Sequence, residues 1–513
     1  MVGAREGMVA TSHPVAVRAA VESLRAGGHA TDAAIAAALV LGVVDPMSTS
    51  LGGDAFALVW DQLTRSVYAI NGSGRAPGRA TIGALRARGH ETMPELGMLS
   101  VTVPGALAMF EDLRARFGRR SLAQLCGPAI AVARDGHEVT PVVARDWAAQ
   151  ASALRDGHGT RGLLVDGERA PRAGETWRSA DLAQTLESIA RDGVAAFYQG
   201  EIARVIERTS DALGGLLTRE DLGAHRSTWV TPISARYRDA TVWELPPNGQ
   251  GLVVLEALRI LDGFDLARMT AADRAHHVIE ALKLAFADGR WWIADGDVAP
   301  APVGALLSDT YIRERRSIIG ERASASAARG ALPGDTVYVT VVDAEGNACS
   351  LIHSVYMHFG AHVVVPGTGI VLQNRGALFS LDPAHPNALA PNKRPYHTII
   401  PALATRDDRL WLSFGVVGGF MQPQAQVQIL SNLLDLAMPV GEAVRAPRAR
   451  WLEHADVMLE PGTPVDVAPA LAARGHRIVA PQAFGGAQAI LVDADGTLHG
   501  ASDPRKDGAW ERA

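Results

Sequence analysis

The sequence has little cysteine, no block of like charge and no long apolar segment, and each absence excludes a class of protein. Its 513 residues contain two cysteines, Cys126 and Cys349, which excludes a disulfide-rich scaffold and a CxxC metal site but leaves a single disulfide open. Acidic and basic residues are interspersed at a net charge of −6, so nucleic acids and anionic membranes are poor partners.

Secretion and membrane insertion are also disfavoured. Residues 1–17 lack the apolar core of a signal peptide. The longest apolar run, Ala33–Val44, is too short to span a bilayer and ends at Asp45-Pro46, which favours a buried helix. We therefore expect a cytoplasmic protein with no membrane partner.

What the chain does contain is enough apolar sequence for a large core, with 48% apolar and 20% charged residues. Helical patterns predominate from about residue 106 to residue 292, and β-branched strand patterns follow residue 335. The segment 301–334 between them is rich in Ala, Ser, Arg and Gly and is typical of a linker. Helices and strands in separate blocks predict an α+β protein with layered sheets.

Local signals predict the first elements of the fold. A helix should end at Gly27-Gly28, and a second helix, capped by Thr31 and Asp32, should be buried on every face. Two strand patterns, 51–61 and 66–72, then predict a hairpin.

Thr336 is the first candidate for chemistry. It begins an alternating strand pattern directly after Gly334-Asp335 and the linker-like segment. A strand threonine without a catalytic role is the default interpretation of such a residue. A break between Asp335 and Thr336 would instead create an N-terminal threonine, whose hydroxyl is a nucleophile and whose α-amine, with a pKa near 8, is a base.

Other stretches carry groups that suit acyl transfer. Gly418 and Gly419 follow a strand, where they form a tight turn or present backbone N–H groups to an oxyanion. Arg375 is either solvated or a bidentate clamp for a carboxylate. His397 and Thr398 are either structural or substrate-binding groups.

Metal and nucleotide sites have weak support. His276 and His277 lie near Glu280 on a predicted helix, but a pair of ligands at this spacing is usually structural. Residues 294–300 contain only part of a calcium loop, and Gly367–Gly369 lacks a dinucleotide-binding context. We expect no metal and no cofactor.

Several ordered motifs together resemble the γ-glutamyltranspeptidase family of N-terminal nucleophile hydrolases. They include GGHATDAAIAAALVLGVVDPMSTSLGGDAF, GDTVYVTVVDAEGNACS, KRPYHTIIPAL and FGVVGG, and the likeness covers nearly the whole chain. The resemblance implies a four-layer αββα sandwich made as one precursor, a zymogen. It implies autocatalytic cleavage between Asp335 and Thr336 into a large region, 1–335, and a small region, 336–513. These would stay intertwined as an α/β heterodimer, and the resemblance allows a dimer of such heterodimers.

The resemblance also implies roles for individual residues. Thr336 takes the position of the nucleophile, and Gly418 and Gly419 take that of the oxyanion hole. The positions matching other polar residues of the family, which we predict to contact substrate, are His397 and Thr398, in place of a Ser-Ser pair, and Thr340, in place of a serine.

The chain departs from the transpeptidases around the substrate. Val337 replaces a second threonine that supports the amine and hydroxyl of the nucleophile, and Tyr338 replaces a histidine. Ser73 stands where the transpeptidases have an arginine for the α-carboxylate, and Arg75 lies two residues further on.

The partners of an α-amino acid head group are also replaced. Leu378 stands in place of the aspartate that pairs with the α-ammonium, and Tyr356 in place of an asparagine. Because a buried ammonium needs a carboxylate partner, we expect a substrate without a free α-amine.

The hypothesis is a self-processing threonine amidohydrolase or acylase that acts through an acyl-enzyme on a small carboxylate-bearing substrate. Arg375 and Arg75 favour the carboxylate, and Ser73 and Tyr356 complete the predicted substrate site. The alternatives are a true γ-glutamyl transferase or glutathione hydrolase, a relative that hydrolyses a C–C bond, and a non-catalytic protein that binds a small molecule.

Overall fold

Two antiparallel sheets packed face to face form the centre of the molecule. The computed structural model describes residues 6–324, 335–480 and 484–513. The strands, in chain order, are β1 (Met8–Thr11), β2 (Asp54–Asp61), β3 (Ser66–Asn71), β4 (His137–Glu138), β5 (Thr176–Trp177), β6 (Thr228–Val230), β7 (Ile233–Tyr237), β8 (Ala240–Glu244), β9 (Asp335–Val342), β10 (Ala348–Tyr356), β11 (Val364–Val365), β12 (Ile370–Val371), β13 (Ala402–Arg406), β14 (Arg409–Val416), β15 (Ala449–Trp451), β16 (Asp456–Leu459), β17 (Arg477–Val479), β18 (Ala487–Val492), β19 (Leu498–Ser502) and β20 (Ala509–Arg512).

The helices enclose these sheets. In chain order they are α1 (Pro14–Arg25), α2 (Ala30–Val44), α3 (Ile82–Arg86), α4 (Ala106–Phe117), α5 (Leu122–Asp135), α6 (Pro141–Asp156), α7 (Ala180–Asp192), α8 (Ala195–Tyr198), α9 (Glu201–Ala212), α10 (Arg219–Ala224), α11 (Gly251–Leu261), α12 (Ala271–Trp292), α13 (Val303–Leu306), α14 (Asp309–Ser317), α15 (Met421–Leu434), α16 (Val440–Arg445) and α17 (Val467–Ala473). Short 3₁₀ helices span Met98–Ser100, Thr160–Leu163, Leu266–Arg268 and Arg375–Leu378. No helix within the described ranges is long and apolar enough to cross a membrane.

Both large sheets combine strands from before and after residue 336. The first has seven strands in the order β20-β1-β9-β10-β2-β3-β6, and the second has six in the order β19-β18-β14-β13-β8-β7. Neighbouring strands in both sheets are antiparallel. Neither the chain before residue 336 nor the chain after it supplies all the strands of either large sheet.

Side-chain alternation along β9 separates the layers. Val337, Val339 and Val341 pack against α2 and its neighbouring helices on the outer face of the first sheet. Tyr338 points the other way and lies in the apolar core between the two sheets. Because α11, α12, α15 and α16 cover the outer face of the second sheet, the structure has four layers. The predicted αββα sandwich is confirmed.

The predicted cap of α2 is wrong by two residues. The helix begins at Ala30, and His29 is the N-cap, whose imidazole accepts a hydrogen bond from the N–H of Thr31. The carboxylate of Asp32 accepts from the N–H of His29 at 2.9 Å. Thr31 and Asp32 thus lie within the first turn, where Asp32 completes a capping box. The prediction that α2 is fully buried is confirmed.

The linker-like segment is partly helical, contrary to the prediction from its composition. It contains α13 and α14, and Ser308 caps α14 by accepting a hydrogen bond from the N–H of Tyr311. Ile312 buries the inner face of α14 in the core beside the second sheet. Residues 325–334 lie outside the described residues.

The contact between Gly415 and Tyr338 tests the packing of the two sheets. A Cβ at Gly415 would overlap the ring of Tyr338, which is held by a 2.7 Å hydrogen bond to Ser350. We expect Gly415→Ala to lower the free energy of unfolding by about 1–3 kcal/mol, measured by urea denaturation. Gly127→Ala, in open space on α5, is the control and should be neutral or slightly stabilising. Equal losses in the two variants would contradict this account of the packing.

Candidate active site

Thr336 lies near the start of β9, on the face that the second sheet covers. It is 1% exposed. Its hydroxyl donates to Oγ of Ser354 on β10 at 3.2 Å and accepts from Nε2 of Gln422 on α15 at 3.3 Å. Val337 faces the helices on the other side of the sheet. The support of the hydroxyl therefore comes from Ser354 and Gln422, and not from the next residue in the chain.

Ser354 connects the nucleophile candidate to a buried arginine. Its Oγ also accepts a hydrogen bond from Nη2 of Arg375 at 3.2 Å and from the backbone N–H of Tyr356 at 2.8 Å. The hydroxyl of Thr336 and the guanidinium of Arg375 are thus two hydrogen bonds apart.

Arg375 is fully buried and makes no ion pair within the described residues. Its Nη1 donates to Oγ1 of Thr398 at 2.7 Å, and its Cζ lies 4.5 Å from the centroid of the Tyr356 ring. Its Nε has no hydrogen-bond partner in the part of the chain that the structure describes. Burial lowers the pKa of Arg375 to about 10, against the opposing charge of Asp54. The group remains a cation at neutral pH.

Asp54 organises the side of the site that contains His397. Its Oδ1 accepts from the N–H groups of Gly74 and Gly105 and from Nε2 of Gln373, at 3.0, 3.1 and 2.9 Å. Its Oδ2 lies 3.1 Å from Nε2 of His397. Burial raises the pKa of Asp54 to about 6 and lowers the pKa of His397 well below its ordinary value. The neutral imidazole donates to Asp54 and fixes the segment that carries Thr398.

The Gly418-Gly419 turn joins β14 to α15. Its φ angles are +115° and +59°, and a Cβ at Gly418 would lie 3.0 Å from the backbone of Gly485. Nε2 of Gln250 donates to the carbonyls of Gly419 and Thr398, which links the turn to the arginine. Neither glycine N–H donates a hydrogen bond within the part of the chain that the structure describes. Both glycines lie at the N-terminal end of α15, where the helix dipole favours negative charge.

The two candidates nearest the N-terminus have different surroundings. Oγ of Ser73 accepts from Asn248 at 3.1 Å, and the carbonyl of Asn248 accepts from the N–H of His397, so Ser73 borders the site. Arg75 forms 3.0 Å ion pairs with both Asp295 and Asp297. Its charge is therefore paired directly with carboxylates, whereas Arg375 makes no ion pair among the described residues.

The remaining predicted residues lie on β9. Asp335 is the first residue of this strand. Oγ1 of Thr340 forms a 2.6 Å hydrogen bond with Oγ of Ser413 on β14, between the two sheets. Since a strand rises about 3.3 Å per residue, Thr340 is about 13 Å from Thr336, and the structure brings it to Ser413 and not to the substrate-site residues.

Sequence reasoning missed Ser354, Gln422 and Asp54. The register of β9 and β10 pairs His353 with Val337, which carries Ser354 to the position opposite Thr336, and it shifts only at Tyr356. Alternation within one strand gives the face of Ser354 but not the residue of the neighbouring strand that it meets. For Gln422 a signal exists, because QPQAQVQ places several glutamines at the start of a helix that the fold buries.

A separate buried cluster contains three residues with metal-ligating atoms, namely His276, Glu280 and His476. Nδ1 of His276 lies 2.9 Å from Nε2 of His476, and Oε1 of Glu280 accepts from Nζ of Lys283 at 2.7 Å. The same side chains bind the backbone at Gly320 and Ser324. The lysine charge and these hydrogen bonds occupy the ligand atoms of the cluster except Nδ1 of His476, which has no partner among the described residues, and the cluster anchors residues 320–324.

Comparison with known proteins identifies the family. The sequence model described as Gamma-glutamyltranspeptidase matches residues 16–513. The chain belongs to the γ-glutamyltranspeptidase family. It is 37% identical to the oxamate amidohydrolase proenzyme of Klebsiella pneumoniae over 98% of both chains. It is 35% identical to the glutathione hydrolase-like YwrD proenzyme of Bacillus subtilis over 98% of this chain and 97% of the relative.

A solved structure supports the same assignment. The cephalosporin acylase from Bacillus halodurans superposes with a TM-score of 0.92 at 46% identity, covering 99% of this chain and 96% of that one. The family resemblance drawn from the motifs is confirmed, and so is the N-terminal nucleophile hydrolase fold.

The pKa of Asp54 gives the first prediction from this γ-glutamyltranspeptidase-family site. Because the folded-state pKa is raised from 3.8 to about 6, the unfolded chain releases this proton first as the pH rises. The free energy of unfolding therefore falls progressively as the pH rises from about 4 to about 6. Above pH 6 the destabilisation by the buried carboxylate has reached its full size. Asp54→Asn removes this pH dependence.

We expect the unfolding free energy of the wild type, relative to Asp54→Asn, to fall from pH 4 to pH 6 and then to stay level up to pH 8. Urea denaturation of both proteins across this range measures the difference. A difference that rises with pH would show that the carboxylate is instead stabilised by its partners.

Proposed function

We propose that the protein is a self-processing threonine amidohydrolase for small amides whose acyl part carries a carboxylate. The observation that carries this proposal is the buried guanidinium of Arg375, which has no ion-pair partner among the described residues and shares Ser354 with Thr336. Burying this charge is costly, Asp54 offsets part of the cost without forming an ion pair, and a substrate carboxylate would supply the direct contact. The short separation from Thr336 favours an acyl group with few atoms between its carboxylate and the scissile carbonyl.

Self-processing would produce the active nucleophile. The hydroxyl of Thr336 attacks the carbonyl of Asp335 and the peptide C–N bond breaks, which leaves an ester that water hydrolyses. The products are a large chain, 1–335, and a small chain, 336–513, whose first residue has a free α-amine. Both large sheets pair strands of one chain with strands of the other, which supports their remaining together. The cytoplasmic location and a dimer of these heterodimers remain predictions from the sequence.

Turnover would use the same hydroxyl. The α-amine of Thr336 takes the hydroxyl proton while Oγ1 bonds to the substrate carbonyl, and the N–H groups of Gly418 and Gly419 stabilise the oxyanion. The C–N bond then breaks, and the leaving amine takes the proton from the α-ammonium. Water, or an amine acceptor, attacks the resulting ester, releases the acyl group and restores the threonine.

Thr336→Ala tests self-processing. We expect the wild type to yield chains of 335 and 178 residues on a denaturing gel, with Thr336 at the new N-terminus, because the cut precedes the nucleophile. Thr336→Ala should stay a single chain of 513 residues, and Thr336→Ser should still cleave, since it keeps the hydroxyl. An uncut wild type, or cleavage that continues in Thr336→Ala, would contradict the proposal.

γ-Glutamyl hydrolysis is the second candidate, favoured by the glutathione hydrolase relatives, including the Escherichia coli proenzyme at 33% identity. It requires a carboxylate for the α-ammonium, and Leu378 stands at the position expected for it. A panel of oxamate, succinamate, glutaramate and γ-glutamyl amides distinguishes the two. We expect higher kcat/KM for the three amides that lack an α-amine, and the reverse order would favour γ-glutamyl hydrolysis.

Arg375→Met tests the carboxylate contact with the same panel. We expect kcat/KM for the carboxylate-bearing amides to fall about 10- to 100-fold, because a charge-assisted hydrogen bond is lost. Uncharged amides of the same length are the internal control, and their slower turnover should change little. Equal losses for charged and uncharged amides would assign Arg375 a structural role only.

A further inference from the structure

The amide of Gln422 has one orientation at the nucleophile. Gln422 is the second residue of α15 and is fully buried. Its Oε1 accepts a hydrogen bond from the backbone N–H of Ile400 at 3.1 Å. The amide nitrogen of Gln422 cannot accept a hydrogen bond from Ile400, so the oxygen must be the atom that faces Ile400. Nε2 therefore faces Oγ1 of Thr336, 3.3 Å away.

The hydroxyl of Thr336 therefore has a defined hydrogen-bond direction. Its proton points to Oγ of Ser354, and a lone pair receives the N–H of Gln422. A donor on this lone pair stabilises the negative charge that develops on Oγ1 when its proton leaves, and again when Oγ1 is the leaving group of the acyl-enzyme. The amide of Gln422 has no basic site that could take this proton. The α-amine of Thr336 therefore remains the base.

The next residue in the chain does not supply such a donor. Position 337, where the transpeptidases have a second threonine, is Val337 and faces the helices. At Oγ1 of Thr336 the structure places Ser354, which accepts a hydrogen bond from the hydroxyl, and Gln422, which donates one to it. We propose that Gln422 is a further catalytic residue, which orients the Thr336 hydroxyl and stabilises Oγ1 as it becomes negative. This inference rests on the proposed function.

The same helix offers a matched control. Gln426, one turn further along α15, is also fully buried, and its Nε2 donates to the carbonyl of the same Ile400 at 2.8 Å. This bond directs the Nε2 of Gln426 to Ile400 and not to Thr336. A role in docking α15 onto Ile400 would be shared by the two glutamines, whereas a role at Oγ1 belongs to Gln422.

The experiment compares Gln422→Met with Gln426→Met. We expect Gln422→Met to lower kcat about 10- to 100-fold with little change in KM, and to slow self-cleavage of fresh precursor by a similar factor. Gln426→Met should keep kcat within about threefold of wild type while losing a similar amount of thermal stability, measured by circular dichroism.

Gln422→Glu gives a readout that a structural role would not move. When the introduced carboxyl is protonated, it can accept from Ile400 and donate to Thr336, whereas the ionised carboxylate cannot donate. The activity of Gln422→Glu should therefore fall as the pH rises through the pKa of the new carboxyl, while that of the wild type rises towards the pKa of its α-amine.

Two results overturn the inference. One is an equal kcat for Gln422→Met and Gln426→Met, and the other is a pH profile of Gln422→Glu with the shape of the wild-type profile. If Thr336→Ala is inactive in the same assay, either result overturns the role of Gln422 alone. If Thr336→Ala keeps wild-type activity, the proposed function itself fails.

Discussion

The hydrogen bonds that meet at Oγ of Ser354 are the interaction on which the rest of the site depends. They hold the hydroxyl of Thr336 and the guanidinium of Arg375 together in a place that excludes solvent. The pairing of His353 with Val337 places Ser354 opposite Thr336 on the neighbouring strand, and the backbone N–H of Tyr356 donates to its Oγ. A nucleophile and a fixed positive charge at this separation are suited to a short substrate with a reactive carbonyl near an anionic group.

The electrostatics of the site follow from its burial. Arg375 stays charged although burial lowers its pKa. Asp54, whose charge opposes that of Arg375, has its pKa raised to about 6 by burial. His397 is neutral and serves to orient Thr398, one of the two hydroxyl groups that bind the arginine. The site thus places beside the nucleophile a buried cation that makes no ion pair among the described residues, and its preferred ligand should be an anion.

The sequence was sufficient for the layers but not for the inner contacts of the site. Alternation of apolar residues predicted strand β9, and the uniformly apolar sequence of α2 predicted a helix buried on every face. Both predictions depend only on local periodicity. Thr336 gained its catalytic interpretation only from the ordered motifs of the family. Ser354 reaches it through the pairing of β9 with β10, and Gln422 reaches it from a helix distant in the chain, and the pattern within one segment encodes neither contact. Arg75 and Arg375 looked equivalent as cations, and only tertiary partners distinguish them.

The proposed chemistry depends on an ester between the hydroxyl of Thr336 and the acyl part of the substrate. Mass spectrometry of the small chain after rapid acid quenching, during turnover of a carboxylate-bearing amide, detects this ester directly. We expect an added acyl mass on the N-terminal peptide, located at Oγ1 of Thr336 and removed by hydroxylamine, as is typical of an ester. Turnover with no adduct at any quench time, or an adduct on another residue, would contradict the assignment of Thr336 as the nucleophile.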